Sequence, residues 1–418
     1  MRAILAAALL LAGLPACAGQ LYSTAQFQQW YPQYGFIFAA AIQNNCTEQY
    51  ERYLTGDPGS VPYVDSFGGG GTLSVLTQPV ILCILDHTSE YVKSVMASAQ
   101  VVLGVLPSAL ALSGATHEEL GVLSCIGRRP LLAFLLALGS PAMHLSRAFD
   151  SPDLSHVLRK PAFATRQPAM GGRMRIVVSA AEYALVLMAV TNVALLCHDL
   201  GVMTICTLMS NLVVAPLIYS LLGLVPYLGG AVAICLRVRR EAAGDYEHIG
   251  MELGGGSDGQ QAPSHTIYTR SDRAKSPLAR LADVPRWLQT VARCEFVPCL
   301  AQTGVRVRVF GARKSHIFVT WLLSTSIIVM IVLGTTIFSS LMFIGPKEAL
   351  GVAGRYFAST IVCRLVLTYE LSGLRQTAEV VFDSDTSGDG GVVRDEGRRL
   401  QKETYQMDSV SRRKATRQ

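Results

Sequence analysis

The densest grouping of metal-ligating side chains lies near the carboxyl end, where residues 385–396 read DTSGDGGVVRDE. Set against an EF-hand loop, Asp385, Ser387 and Asp389 occupy the first, third and fifth positions. Gly390 falls at the sixth, where the chain turns sharply, and Gly391 offers the seventh-position carbonyl. Glu396 stands at the twelfth, the place of the bidentate carboxylate. This spacing brings alternate oxygens onto one hard cation, so calcium is the expected ligand. Gly397 follows the last ligand directly, the apolar lead-in is short, and the sequence has no second loop to pair with it. A solvated polar tail is the competing reading.

A second set of candidates lies inside apolar segments. Glu182 and Arg364 fall at matched positions, each roughly 10 Å from the basic end of its helix at 1.5 Å per residue. A lone charge at such depth costs about 2.5–3.5 kcal/mol on insertion scales. A Glu182–Arg364 ion pair is therefore expected, against the alternative that Arg364 snorkels to the surface. By the same count Arg355 is level with Asn192, as a hydrogen-bonded pair. Asn45-Cys46-Thr47 is a glycosylation acceptor on an exported stretch. Cys46 and Cys83 share that stretch and would pair in an oxidising lumen; the alternative is that Cys83 is simply buried in its apolar run. Cys125, Cys197, Cys206, Cys235 and Cys363 lie in or beside apolar segments and read as small hydrophobes.

Catalytic signatures are missing from the sequence. It has no His-Glu-x-x-His, no Gly-x-Ser-x-Gly elbow, no Walker lysine and no dinucleotide fingerprint. Cys294 and Cys299 lack the further ligands that a zinc site needs. The expectation is a protein that is not an enzyme, with no cofactor beyond calcium and no nucleic-acid partner.

The elements that must carry these residues follow from composition. Of 418 residues, 50% are hydrophobic and 16% charged, where a soluble domain carries about 25% charged residues. Apolar segments at about 95–115, 130–145, 176–197, 211–234, 318–344 and 349–371 approach or reach bilayer-spanning length. The expected fold is an all-α polytopic transmembrane bundle with five to seven crossings. Residues 1–18 read as a signal peptide, with Arg2, an apolar stretch and Ala16-Cys17-Ala18. Residues 19–93 form an extracytoplasmic head, and 94–236 the first group of helices. A basic, largely disordered loop spans 237–315, the last two helices 316–371, and a disordered tail 372–418. Within the head, the run 73–85 reads as an interfacial or re-entrant helix, and within the loop 277–292 reads as a helix that lies on the membrane face or packs against the rest of the loop.

Charge placement orients the chain. Segments 146–175, 237–315 and the tail after Leu371 hold 28 of the 36 Lys and Arg residues. Positive segments face the cytoplasm, which demands an odd number of crossings below an exported head. The weak segment is 130–145, shortened by Arg128 and Arg129 and interrupted at Gly139-Ser140-Pro141.

Three stretches, 81–106 (ILCILDHTSEYVKSVMASAQVVLGVL), 127–142 (GRRPLLAFLLALGSPA) and 335–375 (TTIFSSLMFIGPKEALGVAGRYFASTIVCRLVLTYELSGLR), resemble a family of uncharacterised multi-pass membrane proteins of filamentous fungi. The resemblance implies an integral membrane protein with a secreted head and transfers no functional residue. From loop lengths, a sensor, receptor or scaffold in the secretory pathway or plasma membrane is expected, with protein partners on the cytoplasmic side. A transporter or channel is the alternative.

Overall fold

The computed structural model describes residues 24–56, 75–144, 172–210, 213–241, 295–301, 305–309 and 314–382. The signal peptide, the helix at 277–292 and the calcium ligands Asp385, Ser387, Asp389, Gly391 and Glu396 lie outside these.

The described residues form an all-α bundle with five helical stretches long and apolar enough to cross a membrane. These are Glu90–Ser113 (α4), Arg173–Met203 of α7 (Gly172–Met203), Ala215–Cys235, Ile317–Ser339 of α10 (Lys314–Ser339) and Pro346–Gln376 of α11 (Pro346–Thr377). The third is two helices, α8 (Ala215–Leu222) and α9 (Leu224–Arg237), broken at Gly223. Among the described residues between α4 and α7 lie two short helices, α5 (His117–Cys125) and α6 (Pro130–Gly139).

The segment at 130–145 does not cross. Its helix α6 has ten residues, about 15 Å at the helical rise, half a bilayer core. Pro130 starts it, where the missing N–H is no loss. Its last helical residue is Gly139, after which Ser140 leaves helical geometry (φ −130°, ψ 86°). The chain thus descends through α4 and α5, returns half-way in α6, and crosses again in α7, α8–α9, α10 and α11.

The head packs directly on one end of this bundle. Helices α1 (Gly35–Asn44), α2 (Thr47–Thr55) and α3 (Gln78–Asp86) surround Phe27, Phe38, Tyr53 and Ile84. The run expected to be interfacial is α3, and it buries Pro79, Val80, Ile81 and Ile84 in the head core instead. Its apolar face meets protein rather than lipid. Phe343 and Ile205, from connections of the bundle, complete the same core. Phe343 contacts Trp30 and Phe38 edge-on at 5.4 and 5.0 Å between ring centroids. Two-residue strands β1 (Ile205–Cys206) and β4 (Leu341–Met342) tie those connections together.

The opposite end gathers the basic segments. Strand β2 (Val238–Glu241) pairs antiparallel with β3 (Val305–Val309), which pairs parallel with β5 (Ala378–Phe382). This corrects the expectation of disorder from residue 237 and after 371: α11 runs on to Thr377, and all three strands lie in that territory. Strand pairing across segments remote in sequence stabilises backbone that local composition marks as loop.

Candidate functional site

Three chain breaks meet at one level of the bundle. At the first, α4 ends and Gly114 turns extended before Thr116 caps α5. The cap is reciprocal: Glu119 N–H donates to Thr116 Oγ1, and Thr116 N–H to the Glu119 carboxylate. At the second, 140–144 leaves α6, and His144 N–H donates to the Ala115 carbonyl at 2.9 Å, joining the first two breaks. At the third, Gly223 abuts the Pro141 carbonyl and Met330 of α10. Met330 stands nine residues from the head-side end of α10, about 13 Å along a helix roughly 39 Å long. The breaks therefore sit inside the bundle, not at its surface.

Polar groups without partners collect on the elements of this level. His117, the first residue of α5, is 6% exposed and neither ring nitrogen has a hydrogen-bond partner. It lies against α9, where a Cβ on Gly230 would come within 2.7 Å of the His117 carbonyl. Ser140 Oγ at the end of α6 and Thr360 Oγ1 on α11 are likewise buried and unpartnered. The apolar cleft beside Gly223, about 260 Å³ between α8–α9 and α10, offers no competing polar site. Its Thr325 and Ser326 hydroxyls donate back to their own helix.

Towards the basic end lies the most buried charge cluster, centred on Arg129 in the turn between α5 and α6. Arg128 before it adopts a left-handed conformation (φ 54°), which costs a non-glycine residue about 1 kcal/mol and aims Arg129 into the bundle. Arg129 is 0% exposed. Its Nε donates to the Glu295 carbonyl at 2.8 Å and its Nη2 to Ser179 Oγ at 2.9 Å. Nη1 donates to Glu182 Oε2 at 2.5 Å and stands 2.9 Å from Glu370 Oε1. The guanidinium also lies over the Tyr183 ring, 5.6 Å from its centroid. Glu295 Oε1 accepts from the Leu132 N–H of the first turn of α6 and from the Tyr183 hydroxyl. Glu370 Oε2 accepts from the Cys299 N–H.

The expected Glu182–Arg364 pair does not form. Glu182 goes to Arg129, and Arg364 makes a bidentate pair with Glu119 of α5. Depth along a helix follows from residue count, but the side of the helix a charge faces does not. Glu182 points to the α6 side of α7, whereas Arg364 points to α5. Nearer the head, Arg355 Nε donates to Asn192 Oδ1 at 3.0 Å, and Asn192 Nδ2 donates to the Arg355 carbonyl and to Ser359 Oγ. Asp199 lies 3.5 Å from Arg355. Tyr31 of the head sits near Asp199, Arg355 and Glu348; burial, with Asp199 next in effect, pushes its phenol above the usual range. Gln33 N–H donates to Glu348 in the first turn of α11 at 3.0 Å.

Cys46 and Cys83 form a disulfide with Cα atoms 5.9 Å apart, and Asn45 beside it is exposed. His87 lies next to this bridge, but the two sulfurs bond each other, so the trio is no metal site in this state. A second disulfide joins Cys125 at the end of α5 to Cys235 on α9, also with Cα atoms 5.9 Å apart. Reading both as isolated hydrophobes misses it, because the sequence does not show that α5 and α9 run side by side.

Sequence reasoning also missed Arg129, Glu370, Glu295, Glu119 and His117. Arg129 read as a charge trimming an apolar run. The available signal was a glutamate inside the last apolar segment, Glu370, with no partner assigned to it.

No family model, curated protein or solved structure matches the chain. The chain is a multi-pass membrane protein, and its activity rests on the geometry above.

Proposed function

We propose that the protein is a proton-coupled membrane transporter. The observation that carries this reading is the convergence of three helix breaks around buried, unpartnered polar groups inside the bundle. Interrupted helices expose backbone and side-chain dipoles at mid-depth, the arrangement used by transporters to hold ions or substrates. Arg355, Thr360, Arg364 and Glu370 lie along α11 over fifteen residues, about 22 Å. The helix thus carries polar contacts from the head end, past the breaks, to the basic end. The Arg355–Asn192–Asp199 and Arg129–Glu182–Glu370 contacts act as the closed joints above and below. The head faces the exterior of a secretory-pathway or plasma membrane, the basic end faces the cytoplasm, and no enzymatic step is assigned.

The test is proton flux into liposomes holding the full-length protein, read by an entrapped pH-sensitive dye under an imposed potential. Flux above that of protein-free vesicles, reduced in His117→Ala, is expected. Wild-type flux equal to that of empty vesicles overturns the reading.

A sensor or receptor reading draws on a different observation. The head hydrogen-bonds the first turn of α11 through Gln33 and Glu348, so a ligand on the head has a mechanical path into the bundle and to cytoplasmic partners. Its mark would be a change in α11 accessibility on head binding, without flux.

A further inference from the structure

The Arg129 cluster has more carboxylates than its cation neutralises. Glu295 is provided for separately: its carboxylate takes two donors and sits at the amino end of α6, where the helix dipole favours a negative charge. That leaves Glu182 and Glu370 facing one guanidinium nitrogen, at 2.5 and 2.9 Å. Both carboxyls thus converge on the same Arg129 Nη1, and an ionised carboxylate has no proton with which to offset its neighbour. Glu182 Oε1 has no hydrogen-bond partner, Glu370 Oε1 has only its ion-pair contact with Arg129, and each residue is at most 5% exposed.

Tyr369 on α11 and the Cys299 thiol before α10 face the pair, and Tyr183 on α7 faces Glu295 and Arg129 beside it. All three are neutral in their ordinary state and bring no second positive charge. Doubly ionised, the pair would hold two like charges in a site of low dielectric with a single counter-charge. Singly protonated, it matches Arg129 one to one.

We propose that Glu182 and Glu370 share one proton, so that the Arg129 cluster is a proton-binding site at the basic end of the bundle. The carboxylic O–H bond breaks when this proton passes to water on the basic side, and two carboxylates are left against one guanidinium. Their repulsion loosens the joint of α7 with α11, and re-protonation closes it. The site's role in transport rests on the reading above, whereas its occupancy by a proton does not.

The experiment is infrared spectroscopy of the full-length protein in lipid nanodiscs at neutral pH, with thermal unfolding of the same samples. A carboxylic-acid carbonyl band that shifts in D2O is expected in the wild type and in Glu118→Gln. It is expected to vanish in both Glu182→Gln and Glu370→Gln. Each single variant should keep the wild-type melting temperature, since glutamine mimics the protonated acid. The double variant should lose it, since Arg129 then faces no ionised partner in the pair. Absence of the band in wild type, or a double variant as stable as wild type, overturns the proton site. A band present without flux keeps the site and removes the transporter reading.

Discussion

The two ends of the bundle hold their helices together by different physics. At the head end the contacts are aromatic and apolar, Trp30 and Phe38 around Phe343, and the polar set Arg355–Asn192–Asp199 is partly exposed. At the basic end the helices meet through a guanidinium with no solvent access and the carboxylates around it. Burial of apolar area tolerates substitution of similar volume. A desolvated charge tolerates almost nothing, because removing one partner leaves the other unpaired. The head end therefore accepts conservative substitution, and the basic end does not.

The strongest way to break this contrast is Arg129→Met. It leaves Glu182 and Glu370 buried without their cation, and a loss of about 3–5 kcal/mol is expected, read as loss of monodisperse protein in detergent. Survival of a well-folded variant would mean that the cluster is not the joint.

Next is Cys46→Ser, which opens the bridge inside the head. A loss of about 2–4 kcal/mol, confined to the head, is expected; rapid proteolysis at residues 24–86 with an intact bundle is the readout. The second bridge sharpens the comparison. The structure joins Cys125 to Cys235 as well, but a cytosol keeps thiols reduced, so with the basic end inside, thiol trapping in intact cells should find Cys46 and Cys83 oxidised and the Cys125–Cys235 bridge open. Both pairs oxidised in cells would contradict the assigned orientation.

Smaller again is Arg364→Gln, which strips Glu119 of its bidentate partner while the cap of α5 stays. About 1–3 kcal/mol is expected, with partial recovery in the Glu119→Gln/Arg364→Gln double variant, measured as melting temperature. Smallest is Arg355→Gln. Its side chain is 44% exposed, and an exposed pair contributes under about 1 kcal/mol. A loss as large as that of Arg129→Met would erase the distinction between the two ends.

The features legible along the chain are those that depend on local composition. Run length and hydropathy mark the crossing helices, because a bilayer selects for length and apolarity one segment at a time. Arg128, Arg129 and Gly139-Ser140-Pro141 mark the segment that fails to cross, as the ten-residue α6 shows. Depth along a helix is also countable, and it placed Arg355 level with Asn192. Which neighbour each charge meets is set by how the helices pack. Rotation of α7 and α11 about their axes sends Glu182 to Arg129 and Arg364 to Glu119. The side-by-side course of α5 and α9 brings Cys125 to Cys235. Pairing of 238–241, 305–309 and 378–382 makes strands of segments that read as loop. Each of these depends on contacts between residues far apart in the chain, and those contacts are fixed by packing, which hydropathy along the chain does not encode.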